Sequence, residues 1–308
     1  MAHFSIKSFR FSVIIVLLVL STIACGITTD DDPQEDIAIQ LTTIALQQTQ
    51  TAVVLPPTSA PPAQEEVPTQ PTLPPTDIPT PTPDVDFQGI SFSFDDSIAS
   101  GVSPAIIPAQ NMGEDFMPME TYPEHYQFEL NGYPLSDTFH DPIIRVYPVQ
   151  AYLDISQQAA DNFLILETLL ANRNLSTYDG YFPFLPIWNA AMIFHTKTDY
   201  VAFQNGDGIR FLTMFGQALY PLDNTNVFYT YQGLTNDGNY YVSAVLPISN
   251  PILPDNGDYL MEDYMAFQDN WDNYLAETLQ LLNAQPLASF GPRIDILDQM
   301  INSISINK

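Results

Sequence analysis

Several side chains in this 308-residue chain are of types that do chemistry. His125, His140 and His195 lie in its C-terminal two thirds, and Glu124-His125 and His140-Asp141 each set a carboxylate beside an imidazole. That pairing serves general acid–base work or a Ser-His-Asp arrangement. No HxH or HxxxH spacing accompanies it, so scattered surface or loop histidines are the plain alternative to a metal site. Asp255, Asp258, Glu262 and Asp263, with Asn256, form the densest acidic cluster beyond residue 88. Calcium wants such oxygens, but the spacing is not that of an EF-hand loop, and the same anions suit the N-terminus of a helix near 260. Arg210 begins a strand expected to be central, where a buried guanidinium needs a carboxylate partner or a ligand anion in its place. Trp188, with Tyr181, Phe182 and Phe184, belongs to an aromatic, Pro-punctuated run that either packs in the core or stacks on a sugar. Asp207 sits in Asn205-Gly206-Asp207-Gly208, which reads as a hairpin turn. Arg210, Trp188 and Asp207 are therefore the candidate ligand-binding residues. No GxSxG elbow, P-loop, GxGxxG or HExxH occurs, and no catalytic residue, metal or cofactor is assigned.

The elements that must position these residues follow from periodicity. Gly89–Asp95, His125–Leu130 and Ile143–Val149 alternate as strands, the last ended by Pro148. Ser156 is placed to cap a helix through QQAADNFLILETLLANR, whose Ala159, Phe163, Leu166 and Leu170 share a face. Short strands are expected at 190–195 and 200–204. The second turns through Asn205–Gly208 into a strand at 209–217. A further hairpin joins 227–233 to 240–247 around Thr235-Asn236-Asp237-Gly238. A helix near 260–283, a short helix carrying Ile294, Leu297 and Ile301, and a terminal SISI strand complete the order. This order implies an α+β domain, an antiparallel β-sheet with helices packed on it.

Composition divides the chain. There are 8 basic and 36 acidic residues, a net charge of −28, which opposes nucleic acid and polybasic docking on anionic lipid. Residues 1–24 read as a signal peptide, with Lys7 and Arg10 before the apolar run Phe11–Leu20. That run is about half of the roughly 20 residues a membrane-spanning helix needs. Residues 25–87 read as a disordered acidic and Pro/Thr-rich tether. Ile37, Leu41 and Ile44 fall at helical spacing within it, too few to hold a coiled coil. The 29 residues of 55–83, if polyproline II, would span on the order of 90 Å. Residues 88–308 form the domain, with 26 acidic and 6 basic residues, so it keeps a charge of −20.

The only cysteine, Cys25, ends the apolar run in Ile23-Ala24-Cys25-Gly26. This resembles the lipobox of bacterial lipoproteins, with Thr22 where a Leu is usual. The resemblance implies that Cys25 is lipidated and holds the chain to the membrane of a bacterial cell envelope, outside the cytoplasm. An uncleaved anchor and a secreted soluble chain are the alternatives. GISFSF at 89–94 and LDQMINSISI at 297–306 resemble the opening and closing motifs of the PsbP-like α/β/α sandwich family. The chain has Asp95-Asp96-Ser97 where that family often has Pro-x-x-Trp, and it carries an insert at 97–124. Members of the family are mostly non-catalytic binding or assembly factors. The expectation is therefore a displayed binding or assembly domain for an unknown protein, glycan or small ligand. The alternative is an extracytoplasmic hydrolase using dispersed Asp and His residues.

Overall fold

The computed structural model describes residues 82–110, 121–178 and 180–308. The chain divides into two units, Met1–Thr76 and Asp77–Lys308. The expected signal segment, Cys25 and nearly all of the tether lie outside the described residues.

The second unit is α+β, with two antiparallel sheets and five α-helices among the described residues. The larger sheet has seven strands: β3 (Gly101–Ile107), β4 (His125–Asn131), β5 (Ile143–Pro148), β6 (Ala191–Phe203), β7 (Gly206–Gly216), β8 (Phe228–Thr235) and β9 (Tyr240–Pro247). Their spatial order is β3-β4-β5-β9-β8-β7-β6. A small sheet joins β1 (Val85–Phe87), β2 (Ile90–Phe92) and β10 (Ser305–Ile306), so the two ends of the domain are paired through β2.

Each large-sheet strand feeds two cores by alternation. On one face Leu212, Tyr229, Tyr231, Val242 and Ala244 pack with Ile294, Leu297 and Ile301 of α5 (Ile294–Ser303) and with Ile90 and Phe92. On the other face Ile209, Phe211, Leu234 and Tyr241 pack with Phe163, Leu166 and Leu169 of α2 (Gln157–Asn172) and Tyr152 of α1 (Val149–Leu153). Cover on both faces explains why every residue of β8 is buried. Ser156 caps α2 as expected, its Oγ accepting from Ala159 N at 3.2 Å. Gly238, at φ +70°, supplies the left-handed turn between β8 and β9.

Several sequence expectations need correction. The two short strands at 190–204 are one, β6. Its register slips between Met192 and Phe194 and again between Thr196 and Asp199, with Lys197 at φ 53°. These bulges carry the strand through the polar residues 195–199, which separate the two expected segments. The four-residue loop at 205–208 is a tight turn, because Phe203 pairs with Gly206; Asp207 and Gly208 are strand residues. β7 is the strand next to the edge, not the central one; helices on both faces are what make it apolar on both sides. The helix near 260–283 is two, α3 (Tyr264–Asp269) and α4 (Trp271–Ala284), parted where Asn270 leaves helical geometry at φ −101°, ψ 7°. The insert at 97–124 contains β3, whose Pro104 is tolerated because β3 is an edge strand. β1 lies on the tether side of the expected boundary at 88.

Candidate functional site

The α2 face of the large sheet is not covered evenly. α2 packs on the Leu234, Tyr241 and Ile209 end. At the opposite end, where β5 and β8 begin and β7 and β9 finish, Phe228 and Val245 pack with Phe184, Trp188 and Phe215 instead. A cavity of about 790 Å³ opens there. Ile143 and Arg145 of β5, Val245 of β9, and Phe215 and Gly216 of β7 contribute to its wall. Loops add His140, Asp141, Trp188, Asn189 and Gln217, with Tyr220 and Asp258 also lining it.

Trp188 reaches the cavity on a segment that cannot join a sheet. Pro183 and Pro186 in YFPFLPIW have no N–H to donate, so side chains satisfy its backbone. Gln232 of β8, wholly buried, accepts from Leu185 N at 2.9 Å and donates back to Leu185 O at 3.3 Å. The same Oε1 accepts from Tyr241 Oη at 2.8 Å. Ser243 Oγ also donates to Leu185 O, and Asn162 Oδ1 on α2 accepts from Phe184 N at 2.7 Å. A buried amide therefore clamps the strap that carries Trp188. Gln232→Leu will strand buried donors on Leu185 and Tyr241 and cost about 2 kcal/mol. Urea denaturation, with limited proteolysis at 181–188 as the local readout, measures that loss.

The aromatic wall is continuous. His140 stacks flat on Trp188, with centroids 4.5 Å apart and planes 5° apart, and meets Phe228 edge-on at 4.7 Å. Trp188 in turn contacts Phe184 and Phe215. Burial drives the His140 imidazole down to about 4, with Asp141 opposing the shift and Arg145 adding to it. His140 is thus neutral at pH 7, an aromatic surface and not a cation. Arg145, half-buried, is the one cation among the described residues of the lining. Asp141 and Asp258, both exposed, are the carboxylates among its described lining residues.

The sequence candidates separate in space. Of the three, only Trp188 lines the cavity. Arg210 is buried on the face covered by α5, with Nε 3.3 Å from Asp298 and a terminal nitrogen 3.6 Å from Asp199. Asp207 is paired with Arg173, whose guanidinium also lies 4.4 Å over the Tyr200 ring. Of the histidines, His140 lines the cavity and the other two do not. His125 is buried against Tyr147, its Nδ1 donating to Pro123 O at 2.9 Å, and His195 lies on Phe182 at 4.0 Å. In the acidic cluster Asp263 caps α3 through Ala266 N, and Asn256 Oδ1 accepts from Asp258 N. No group of three or more potential metal ligands occurs among the described residues.

Arg145 escaped notice in the sequence although its signal was present. It is a lone charge inside the apolar strand IIRVYPV, the same feature that drew attention to Arg210. Phe215 and Phe228 gave no signal, because strand aromatics at a site look like strand aromatics in a core. No family model, curated protein or solved structure matches this chain.

Proposed function

We propose that this chain is a lipid-anchored protein of the bacterial cell envelope whose C-terminal domain binds a small ligand outside the cytoplasm. Cys25 is the lipidated residue, and the Pro/Thr-rich tether spaces the domain from the membrane. Helices on both faces of an antiparallel sheet, and ends joined by β2 and β10, support the PsbP-like reading of the domain.

The observation that carries the binding reading is the cavity at the sheet end. Its volume of about 790 Å³ lies within the few hundred to roughly 1,000 Å³ of small-molecule sites, and it joins an aromatic wall to a few convergent polar groups. The hydrolase alternative gains from the meeting of His140 with Asp141 and Asp258. Binding is favoured over it because the described residues of the lining include no Ser, Thr, Cys or Lys nucleophile. His140, moreover, is stacked on Trp188 and is a weak base at neutral pH.

The chain has two tryptophans, and Trp271 packs with Phe267 and Tyr274 away from the cavity. Trp271→Phe therefore leaves Trp188 as the sole indole reporter. Titrating that protein with free amino acids, organic acids and monosaccharides will give a saturable change in Trp188 emission for at least one of these sets. Unchanged emission with all three at millimolar concentration contradicts the reading. Anchoring is tested separately: palmitate label will enter the wild-type chain and be lost in Cys25→Ala.

A further inference from the structure

Resting on the cavity as a ligand site, we infer that its ligand is a small zwitterion of the α-amino-acid type. The carboxylate is held by Arg145, the ammonium faces Asp141 and Asp258, and an aromatic or apolar body lies on the Trp188 wall.

The argument starts from how this domain treats its arginines. Carboxylates outnumber cations by 26 to 6 in residues 88–308, so partners are abundant. Arg173 pairs with Asp207, Arg210 with Asp298 and Asp199, and Arg293 with Asp295. Arg145 alone of the four has no ion pair among the described residues, although it is half-buried and Asp141 lines the same cavity. Its neighbours across the sheet are the uncharged Gln127 and Ser243. A partly desolvated guanidinium without a carboxylate is costly, and its planar fork of donors matches one carboxylate bidentately.

The rest of the lining narrows the class. With His140 neutral, the charged groups among the described residues of the lining are Arg145, Asp141 and Asp258, which together carry a net charge of −1. A phosphate or sulfate dianion would satisfy Arg145 but face both carboxylates. A simple cation would satisfy the aspartates but face the guanidinium. A molecule bearing both signs satisfies each group, and the indole takes its uncharged part.

Three probes dissect this in the Trp271→Phe protein: L-phenylalanine, phenylacetate, which lacks the ammonium, and phenethylammonium, which lacks the carboxylate. L-phenylalanine will bind at least tenfold tighter than either. Arg145→Met will weaken L-phenylalanine at least tenfold while leaving phenethylammonium unchanged or tighter. Asp141→Asn with Asp258→Asn will weaken phenethylammonium and spare phenylacetate. This crossed pattern cannot come from misfolding, which would weaken all three probes together. Equal binding of the three, or an Arg145→Met protein that keeps wild-type affinity for L-phenylalanine, overturns the inference and leaves the cavity reading standing. Silence of Trp188 toward all three probes and toward the wider panel overturns both.

Discussion

Exchanging Arg210 for Met will destabilise the domain by about 3–5 kcal/mol, the usual effect of removing one partner of a buried ion pair. Over a domain of this size that lowers Tm by roughly 10 °C. The carboxylate it abandons is the reason. Asp298 on α5 is largely buried, its side chain 17% exposed, and it accepts from Tyr229 Oη at 3.0 Å. Burial already raises its carboxyl above the ordinary range, and Arg210 opposes that rise. Without Arg210 the charge must be neutralised or α5 must move. Asp199, mostly exposed, can turn to water and contributes little. Arg210→Met with Asp298→Asn will recover most of the loss, since the amide oxygen still accepts from Tyr229 and no buried charge remains. Calorimetry checks both; a single variant melting within about 2 °C of wild type would contradict the ion pair's structural role.

The second large effect is on acid stability. His125 and His140 are each held near 4 in the folded domain, with burial the leading cause, and His195 is lowered for the same reason. In the unfolded chain a histidine titrates near 6.5. Between the two values the unfolded chain binds the extra protons, so stability is fully present above about pH 6.5 and is lost as pH falls toward 4. Two such groups give a limiting slope of about 2.7 kcal/mol per pH unit. Urea unfolding between pH 6.5 and 5, above the range in which ordinary carboxylates titrate, measures the dependence. His140→Phe keeps a ring against Trp188 and will remove about one proton from the linkage. A variant with the wild-type slope would show that His140 is not buried as described.

The two effects show what kind of information the chain carries openly. Alternation and capping are local, so β4, β5, the Ser156-capped helix and the hairpin closed by Gly238 are readable from a few residues each. Arg210 was readable as a charge needing a partner, but the identity of Asp298 was not, because 88 positions separate them. The cavity depends on still less local facts. It exists because α2 reaches only one end of its sheet face and a Pro-broken strap, clamped by Gln232, roofs part of the other. Nothing in YFPFLPIW says whether its tryptophan will face a core or a cavity. A polar glutamine in the fully buried strand β8 hints at the clamp, because a buried amide must find partners. Bulges in β6 and the break at Asn270 are likewise set by packing that overrides local preference.

The reading of the domain as a ligand carrier rests on the cavity at the sheet end, and chemical-shift mapping tests it most directly. Amide resonances of the intact protein can be followed while the compound that most alters Trp188 emission is added. The account predicts saturable shifts gathered at Arg145, Ala190, Gly216 and Gln217, which line the cavity from β5, the end of β7 and the loops at 190 and 217. Shifts gathered instead on β3 or the small sheet, with those four residues unmoved at saturation, would contradict it.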